Sequence, residues 1–322
     1  MSSGSDKGGK SVVTVYSPRP SNITSYVVAE FEKAHPEYQV QLLTLGGQEV
    51  ADRVNAEKSH PQADVWWGGT PQQFEQAAAK DLLTPFSSDI LGRVPNQYHG
   101  SKDTWLAEQR QLQLIAYNHD MIKEGDLPND WADLASPKYK NKIIIRDVAP
   151  SGTMRSVFTA LISQQYQKTG KPDEGYAFLR TLDANTKDYA ANPQDLYLRL
   201  QRQEAAQTIW NQQDILAQAA KGAPFSLKVP ASGVPINLDG IAKVNHGPNS
   251  PGAEAFANFV LSEKTQTWLA QNAFQIPTIK ISQEPDWLAG LKFTELNVDR
   301  KVVAANEATW INYWLENVKN RG

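Results

Sequence analysis

A strand, a tight turn and the start of a helix follow one another in KIIIRDVAPSGTMRSVF, residues 142–158. The isoleucines at 143–145 predict a short buried strand, and apolar residues at helical spacing from Val157 onward predict a helix. Between them, Ser151 or Thr153 is suited to cap the helix, and Gly152 lets a ligand approach the backbone. The N–H groups of a first helical turn and the helix dipole favour a negatively charged oxygen. The stretch therefore predicts an anion site or, alternatively, a plain helix cap.

The same order of strand, turn and helix recurs three times in the first 80 residues. The predicted strands are 11–16, 38–45 and 63–67, and the predicted helices are 23–34, 49–59 and 72–80. This repetition predicts an α/β fold whose mainly parallel sheet is covered by helices on both faces. Ligands of such sheets bind beyond the carboxyl ends of the strands. We therefore expect one shared edge formed by Ser17, Arg19, Gly46, Gly47, Gln48, Trp67, Gly68, Gly69 and Thr70.

Composition limits the kind of protein. The 322 residues are 40% hydrophobic and 21% charged, which is ordinary for a globular chain with room for two lobes. The net charge of -3 and the scattered lysines and arginines argue against a nucleic-acid partner. The chain has no cysteine, which excludes disulfides and thiolate chemistry. No apolar run reaches the ~18 residues that a membrane helix needs.

The N-terminus is small and polar. Residues 1–10 are rich in serine and glycine and lack the apolar core of a signal peptide. We therefore predict a flexible tether over 1–11. It is similar to the start of a mature bacterial lipoprotein in which Met1 has replaced the lipidated cysteine, and a cloning remnant is the alternative.

Seven short motifs carry a family resemblance through their shared order. They are YSPRP at 16–20, GGQEV at 46–50, ADVWWGG at 63–69, LIAYN at 114–118, PSGT at 150–153, NLDGIAKV at 237–244 and AEAFANFVLS at 253–262. This order resembles the extracellular solute-binding proteins of ABC importers. Within them it is most similar to the iron-type cluster, which also includes sugar-phosphate and phosphonate binders. The resemblance runs from about residue 12 to about residue 280.

The resemblance implies a type II periplasmic-binding-protein-like fold. Two α/β lobes would be joined by a hinge of crossover strands, with a cleft between the lobes that closes on the solute. Lobe 1 is expected at 12–111, lobe 2 at 112–239, the return to lobe 1 at 240–280, and C-terminal helices that pack on the lobes at 281–322. The segments 112–118 and 236–244 are apolar and extended in character, which independently fits a hinge.

The resemblance also implies partners and a location. We expect a monomer that binds a small solute and docks on a membrane permease. The location would be extracytoplasmic, either in the periplasm or lipid-anchored at the outer face of the cell membrane.

Iron is disfavoured as the ligand. Iron binders of this cluster resemble one another in a pair of adjacent tyrosines late in the second lobe, whereas the corresponding stretch here is WNQQD at 210–214. The five histidines are isolated, and no His, Asp and Glu cluster has metal-ligand spacing. We therefore predict no metal site and no cofactor.

A phosphate-bearing solute suits the predicted donors better. Ser151, Gly152 and Thr153 would supply backbone and hydroxyl donors from the second lobe, faced by Ser17, Arg19 and the glycine turn at 46–47 from the first. The Arg19 guanidinium is suited to a bidentate contact with a phosphoryl group, and a solvated turn arginine is the alternative. A sugar phosphate or related organophosphate is the leading prediction.

Other residues would contact the organic part of the solute. Trp67 is predicted to stack on a sugar face or an amine, whereas Trp66 is predicted to lie in the core. Asp214 has a second predicted role as the N-cap of a helix at 215–221. The further contact candidates are Asn211, Gln213, Ser232 and Asp239. Asp214 and Asp239 near Trp67 would instead favour an amine, so the organic half of the solute stays open.

Catalysis is not expected. The sequence has no Gly-x-Ser-x-Gly elbow, no P-loop and no His-Glu-x-x-His motif, and Ser151 has no base beside it. The alternatives within the fold are a binder of a phosphonate, an inorganic oxyanion, a polyamine or ferric ion. A sensor partner that serves signalling instead of transport is a further alternative.

Overall fold

Two compact units divide the chain. The computed structural model describes residues 9–320, so most of the predicted tether over 1–11 lies outside the described residues. Unit 1 comprises the chain up to Arg110 together with Leu238–Ala289, and unit 2 comprises Gln111–Asn237 together with the chain from Gly290. None of the helices between residues 9 and 320 is long and apolar enough to cross a membrane.

Strands and helices alternate along most of the chain. Up to the first change of unit the elements are β1 (Ser11–Ser17), α1 (Ser21–Ala34), β2 (Tyr38–Thr44), α2 (Gly47–Ala56), β3 (Val65–Trp67), α3 (Pro71–Ala79), β4 (Leu83–Thr84), α4 (Ser88–Leu91) and β5 (Trp105–Asn118). Then follow β6 (Ile143–Arg146), α5 (Gly152–Thr169), α6 (Asp173–Asn185), β7 (Thr186–Ala190), α7 (Pro193–Gln201), β8 (Gln207–Asn211), α8 (Gln212–Ala220), β9 (Phe225–Lys228) and β10 (Ile236–Val244). The last elements are α9 (Ser250–Val260), α10 (Glu263–Ala273), β11 (Ile276–Pro277), α11 (Asp286–Ala289) and α12 (Arg300–Asn317).

The sheet of unit 1 has the strand order β2-β1-β3-β10. β1 pairs in parallel with both β2 and β3, which confirms the parallel arrangement predicted from the first 80 residues. β10 returns antiparallel to β3, with Ala242 opposite Trp66. Because β1, β2 and β3 run the same way, α1, α2 and α3 all begin at one edge of this sheet.

The sheet of unit 2 is built around β6. β6 pairs in parallel with β7 and with β8, and β8 pairs antiparallel with β5. Ile143, Ile144 and Ile145 are buried, as predicted for the central stretch. α5 follows β6 and ends at Gly170, whose left-handed φ of 73° terminates the helix. Because β7, β6 and β8 run parallel, the helices that follow them, α7, α5 and α8, begin at the same edge of three neighbouring strands.

β5 is twice as long as the predicted extended segment. The structure extends it back from residue 112 to Trp105. The added part ends in four consecutive polar residues, Glu108 to Gln111, which interrupt the apolar pattern on which the prediction depended. Glu108 is fully buried because side chains of unit 1 surround its carboxylate with donors.

Candidate functional site

The first turn of α5 follows the carboxyl end of β6, with Ser151 buried, Gly152 exposed and Thr153 half-buried. Ser151 is the N-cap, and its Oγ accepts a hydrogen bond from the Met154 N–H at 3.2 Å. Gly152 is exposed, and a Cβ built there would meet no atom within 4 Å among the described residues. The turn has no acidic side chain, whereas α7 and α8 carry Asp195 and Asp214 in their first turns. Of the three helices at this edge, α5 is thus the one whose N-terminus suits an anion.

Asp214 does not cap a helix, and that prediction is wrong. α8 begins at Gln212, and Asn211 is its N-cap, with Oδ1 accepting from the Asp214 N–H at 2.8 Å. The Asp214 carboxylate accepts hydrogen bonds from the Tyr197 hydroxyl at 2.6 Å and the Trp210 indole N–H at 3.2 Å. Burial and this carboxylate raise the pKa of Tyr197. Asn211 is itself buried. Asn211 and Asp214 therefore both serve to hold the start of α8.

Two further candidates of unit 2 have protein partners. Gln213 accepts a hydrogen bond from the Gln111 side-chain amide at 3.3 Å. Ser232 lies in an exposed loop, where its Oγ donates to Asp130 Oδ1 at 2.7 Å. The structure therefore places Ser151, Gly152 and Thr153 in one helical turn and gives Gln213 and Ser232 separate local partners.

A buried charged network occupies the corresponding edge of unit 1. Arg19 is 6% exposed, and its Nη2 donates to Glu108 Oε2 at 2.9 Å and to Asp239 Oδ1 at 2.6 Å. Glu108 also accepts from the Trp67 indole N–H at 2.8 Å and from Gln266 Nε2 at 3.2 Å. The alternative of a solvated turn arginine at position 19 is therefore wrong.

Trp67 is not available to stack on a solute, contrary to the prediction. Its side chain is 0% exposed, and its ring meets Phe256 edge-on at a centroid distance of 5.7 Å. Trp66, predicted to lie in the core, is also fully buried. Both alternating positions are buried because β3 lies inside the sheet, between β1 and β10, with helices packed on it.

The remaining candidates of unit 1 divide into two groups. Ser17 Oγ accepts from the Arg19 backbone N–H at 3.2 Å, and the Gly69 N–H donates to the Asp239 carboxylate, so these four residues come together. Three others belong to helix starts. Thr70 caps α3 in a capping box with Gln73, Gly47 opens α2, and the exposed Gln48 donates to Asp52 at 2.9 Å.

Asp239 is the part of this network that remains accessible. Its side chain is 32% exposed, compared with 0% for Glu108. Burial raises the pKa of the Asp239 carboxyl to about 6, with the Arg19 guanidinium opposing the shift and the Glu108 carboxylate adding to it. Asp239 thus presents a carboxylate at the edge where β1 and β3 end.

Glu108 is the residue that the sequence interpretation missed. The one available signal was a glutamate directly after the apolar run Trp105-Leu106-Ala107. A charge in such a place requires partners, but nothing local identifies Arg19, which is 89 positions away. Among residues 9–320, no group of three or more His, Asp or Glu side chains is placed to hold a metal ion.

The comparison with protein families identifies the class to which this two-unit α/β chain belongs. Residues 61–301 match the family of bacterial extracellular solute-binding proteins, and the chain belongs to that family. It is a substrate-binding component of an ABC importer, which is a transport protein and not an enzyme. The family and its periplasmic relatives confirm the extracytoplasmic location, a small-molecule ligand and a membrane permease as partner.

Relatives with different described ligands are similar to this chain. Iron uptake protein A1 of Synechocystis is 25% identical over 287 residues, covering 84% of this chain and 77% of that protein. A putative 2-aminoethylphosphonate-binding periplasmic protein of Salmonella typhimurium is 27% identical over 241 residues, covering 72% and 67%. Membership of the family therefore leaves the ligand open.

Solved structures confirm the predicted two-lobed fold. The periplasmic binding protein AfuA of Actinobacillus pleuropneumoniae, with bound fructose-6-phosphate, has a TM-score of 0.74 at 23% identity, covering 98% of this chain and 100% of that one. The apo ferric ion-binding protein A of Pasteurella haemolytica has a TM-score of 0.78 at 22% identity, covering 95% and 97%. At these identities the likeness concerns the fold alone.

Proposed function

We propose that this chain captures a small anionic solute for import, with sugar phosphates and related organophosphates as the leading class. The observation that carries the proposal is the first turn of α5, where Ser151 is the cap and Gly152 is exposed with free space around it. We further propose that units 1 and 2 are the two lobes expected from the sequence.

The α5 turn has the chemistry that a phosphate group needs. α5 is 18 residues long, so the N–H groups and the dipole of a full-length helix act on its first turn. The Ser151 hydroxyl, which accepts from Met154, still has its own proton to donate. Arg155 is engaged by Glu307 at 2.9 Å and by the Ala149 carbonyl, so we assign it to holding the turn.

Calorimetric titration of refolded protein tests the proposal. We expect fructose 6-phosphate to bind and fructose to bind much more weakly, because the phosphate makes the α5 contacts. In the variant Ser151→Ala with Thr153→Ala, affinity for the phosphate should fall about 12- to 150-fold, the range for hydrogen bonds to a charged group. Refolding removes any solute that has been carried through purification.

A matched control separates binding from helix capping. Ser262 is the N-cap of α10 and accepts from the Thr265 N–H at 3.2 Å, so Ser262→Ala also removes a cap. We expect it to leave affinity unchanged. Equal affinity for fructose and fructose 6-phosphate, or unchanged affinity in the Ser151 and Thr153 double variant, would overturn the anion site. Titrations with 2-aminoethylphosphonate, spermidine and ferric citrate test the alternative ligands.

A further inference from the structure

We infer that Arg19 and Asp239 of unit 1 form a subsite for a hydroxyl group of the solute. This inference rests on the proposed function and deepens it, because it names the chemistry of the solute away from its phosphate. It assigns to Arg19 a role other than the phosphoryl contact expected from the sequence.

The charge of the network disfavours a phosphate at this place. One guanidinium, that of Arg19, faces the two carboxylates of Glu108 and Asp239 at 2.9 and 2.6 Å. With all three groups ionised, the cluster carries one net negative charge. A phosphate dianion next to Asp239 would meet this charge in a poorly solvated setting, where repulsion is strong.

The donors left over on Arg19 require an acceptor. Both ion pairs use Nη2, and within residues 9–320 the buried Nε has no hydrogen-bond partner. A guanidinium has five N–H groups in a fixed plane, so donors remain beside the two carboxylates. A solute oxygen that reaches one of these remaining N–H groups would receive a charge-assisted hydrogen bond.

A hydroxyl satisfies both members of the pair at once. It donates its proton to the accessible carboxylate of Asp239 and accepts from the guanidinium of Arg19. An ammonium group donates to Asp239 as well, but it has no lone pair for Arg19 and would lie beside its positive charge. Burial raises the pKa of Asp239 to about 6, and a hydroxyl proton donated by the solute would stabilise the ionised carboxylate against that desolvation.

Three phosphonates of matched size test the assignment. They are 2-hydroxyethylphosphonate, 2-aminoethylphosphonate and propylphosphonate, which differ only in the group at the end of the chain. Calorimetric titration of the refolded wild type should show the hydroxyl compound binding about tenfold or more tightly than propylphosphonate, the range of one hydrogen bond to a charged group. In Asp239→Asn this preference should fall several-fold, and in the surface control Asp286→Asn it should persist.

The outcomes separate the subsite from the proposed function. Binding of all three phosphonates with equal affinity, or tightest binding of the amino compound, overturns the hydroxyl subsite and leaves the anion site standing. An unchanged hydroxyl preference in Asp239→Asn overturns the role of Asp239. If neither these phosphonates nor fructose 6-phosphate binds, the proposed function fails and the subsite fails with it. Should Asp239→Asn not fold, the wild-type affinity ratios alone decide.

Discussion

Replacing Glu108 by glutamine tests whether the buried network stabilises unit 1. Glu108 is 0% exposed and accepts hydrogen bonds from Arg19, Trp67 and Gln266 at 2.9, 2.8 and 3.2 Å. An amide keeps the shape, but it removes the charge that faces Arg19 and points an N–H₂ group at donors. Breaking a buried ion pair from one side costs about 3–5 kcal/mol, and we expect about 3 kcal/mol here because Asp239 still pairs with Arg19.

The assay is equilibrium urea unfolding followed by tryptophan fluorescence, with calorimetry as a second measurement. A loss of about 3 kcal/mol corresponds to a fall of about 6–12 °C in the melting temperature of a unit of this size. Glu284→Gln is the matched control, because it makes the same chemical change at an exposed position of unit 1. It should leave both values within about 0.5 kcal/mol of the wild type.

A small effect would refute this reasoning about the network. If Glu108→Gln loses less than about 1 kcal/mol, the desolvation of the carboxylate has cancelled its attraction to Arg19, as happens in some buried ion pairs. The network would then set the position of Arg19 and Asp239 without stabilising the fold.

Three other changes have defined outcomes. Gly240→Ala should destabilise unit 1 by about 3 kcal/mol, because a Cβ there would lie 2.3 Å from the Leu106 carbonyl oxygen; unchanged urea unfolding contradicts this. Asn211→Ala should cost about 1 kcal/mol by removing the cap of α8, and a neutral result in the same assay would show that the cap contributes nothing. The pKa of Asp239, raised from 3.8 to about 6, makes the wild type lose stability as pH rises between about 4 and 6. Asp239→Asn should remove that part of the pH dependence, and parallel pH curves for the two proteins would contradict the shift.

Local patterns predicted the strand, turn and helix units well. The central stretch 142–158, the parallel pairing of β1, β2 and β3 and the burial of Trp66 all depend on hydrophobic spacing and turn residues that are close in sequence. The helix cap at Ser151 is local in the same sense and was one of two residues expected there.

Contacts between distant residues account for what the sequence could not show. The partner of Arg19 is Glu108, and no periodicity relates the two. Trp67 was expected to face a solute because strands alternate, but its ring is buried against Phe256, a residue so distant in sequence that no local pattern indicates the contact. α8 begins at Gln212 with Asn211 as its N-cap, not with Asp214 as predicted, because Asn and Asp are both suited to that position and the residue types alone do not choose between them.

The division of the chain into two units has a consequence for how the protein is made. Unit 1 includes Leu238–Ala289. In that segment the Asn249 N–H donates to the carboxylate of Asp64, which lies 185 residues earlier in the chain. Unit 2 needs α12, whose Trp314 packs edge-on against Phe158. Neither unit can complete its core until the last part of the chain has been synthesised, because both close through very long loops. We therefore expect both cores to be completed late in synthesis or after it, which suits a protein of an extracellular family that must be moved out of the cytoplasm.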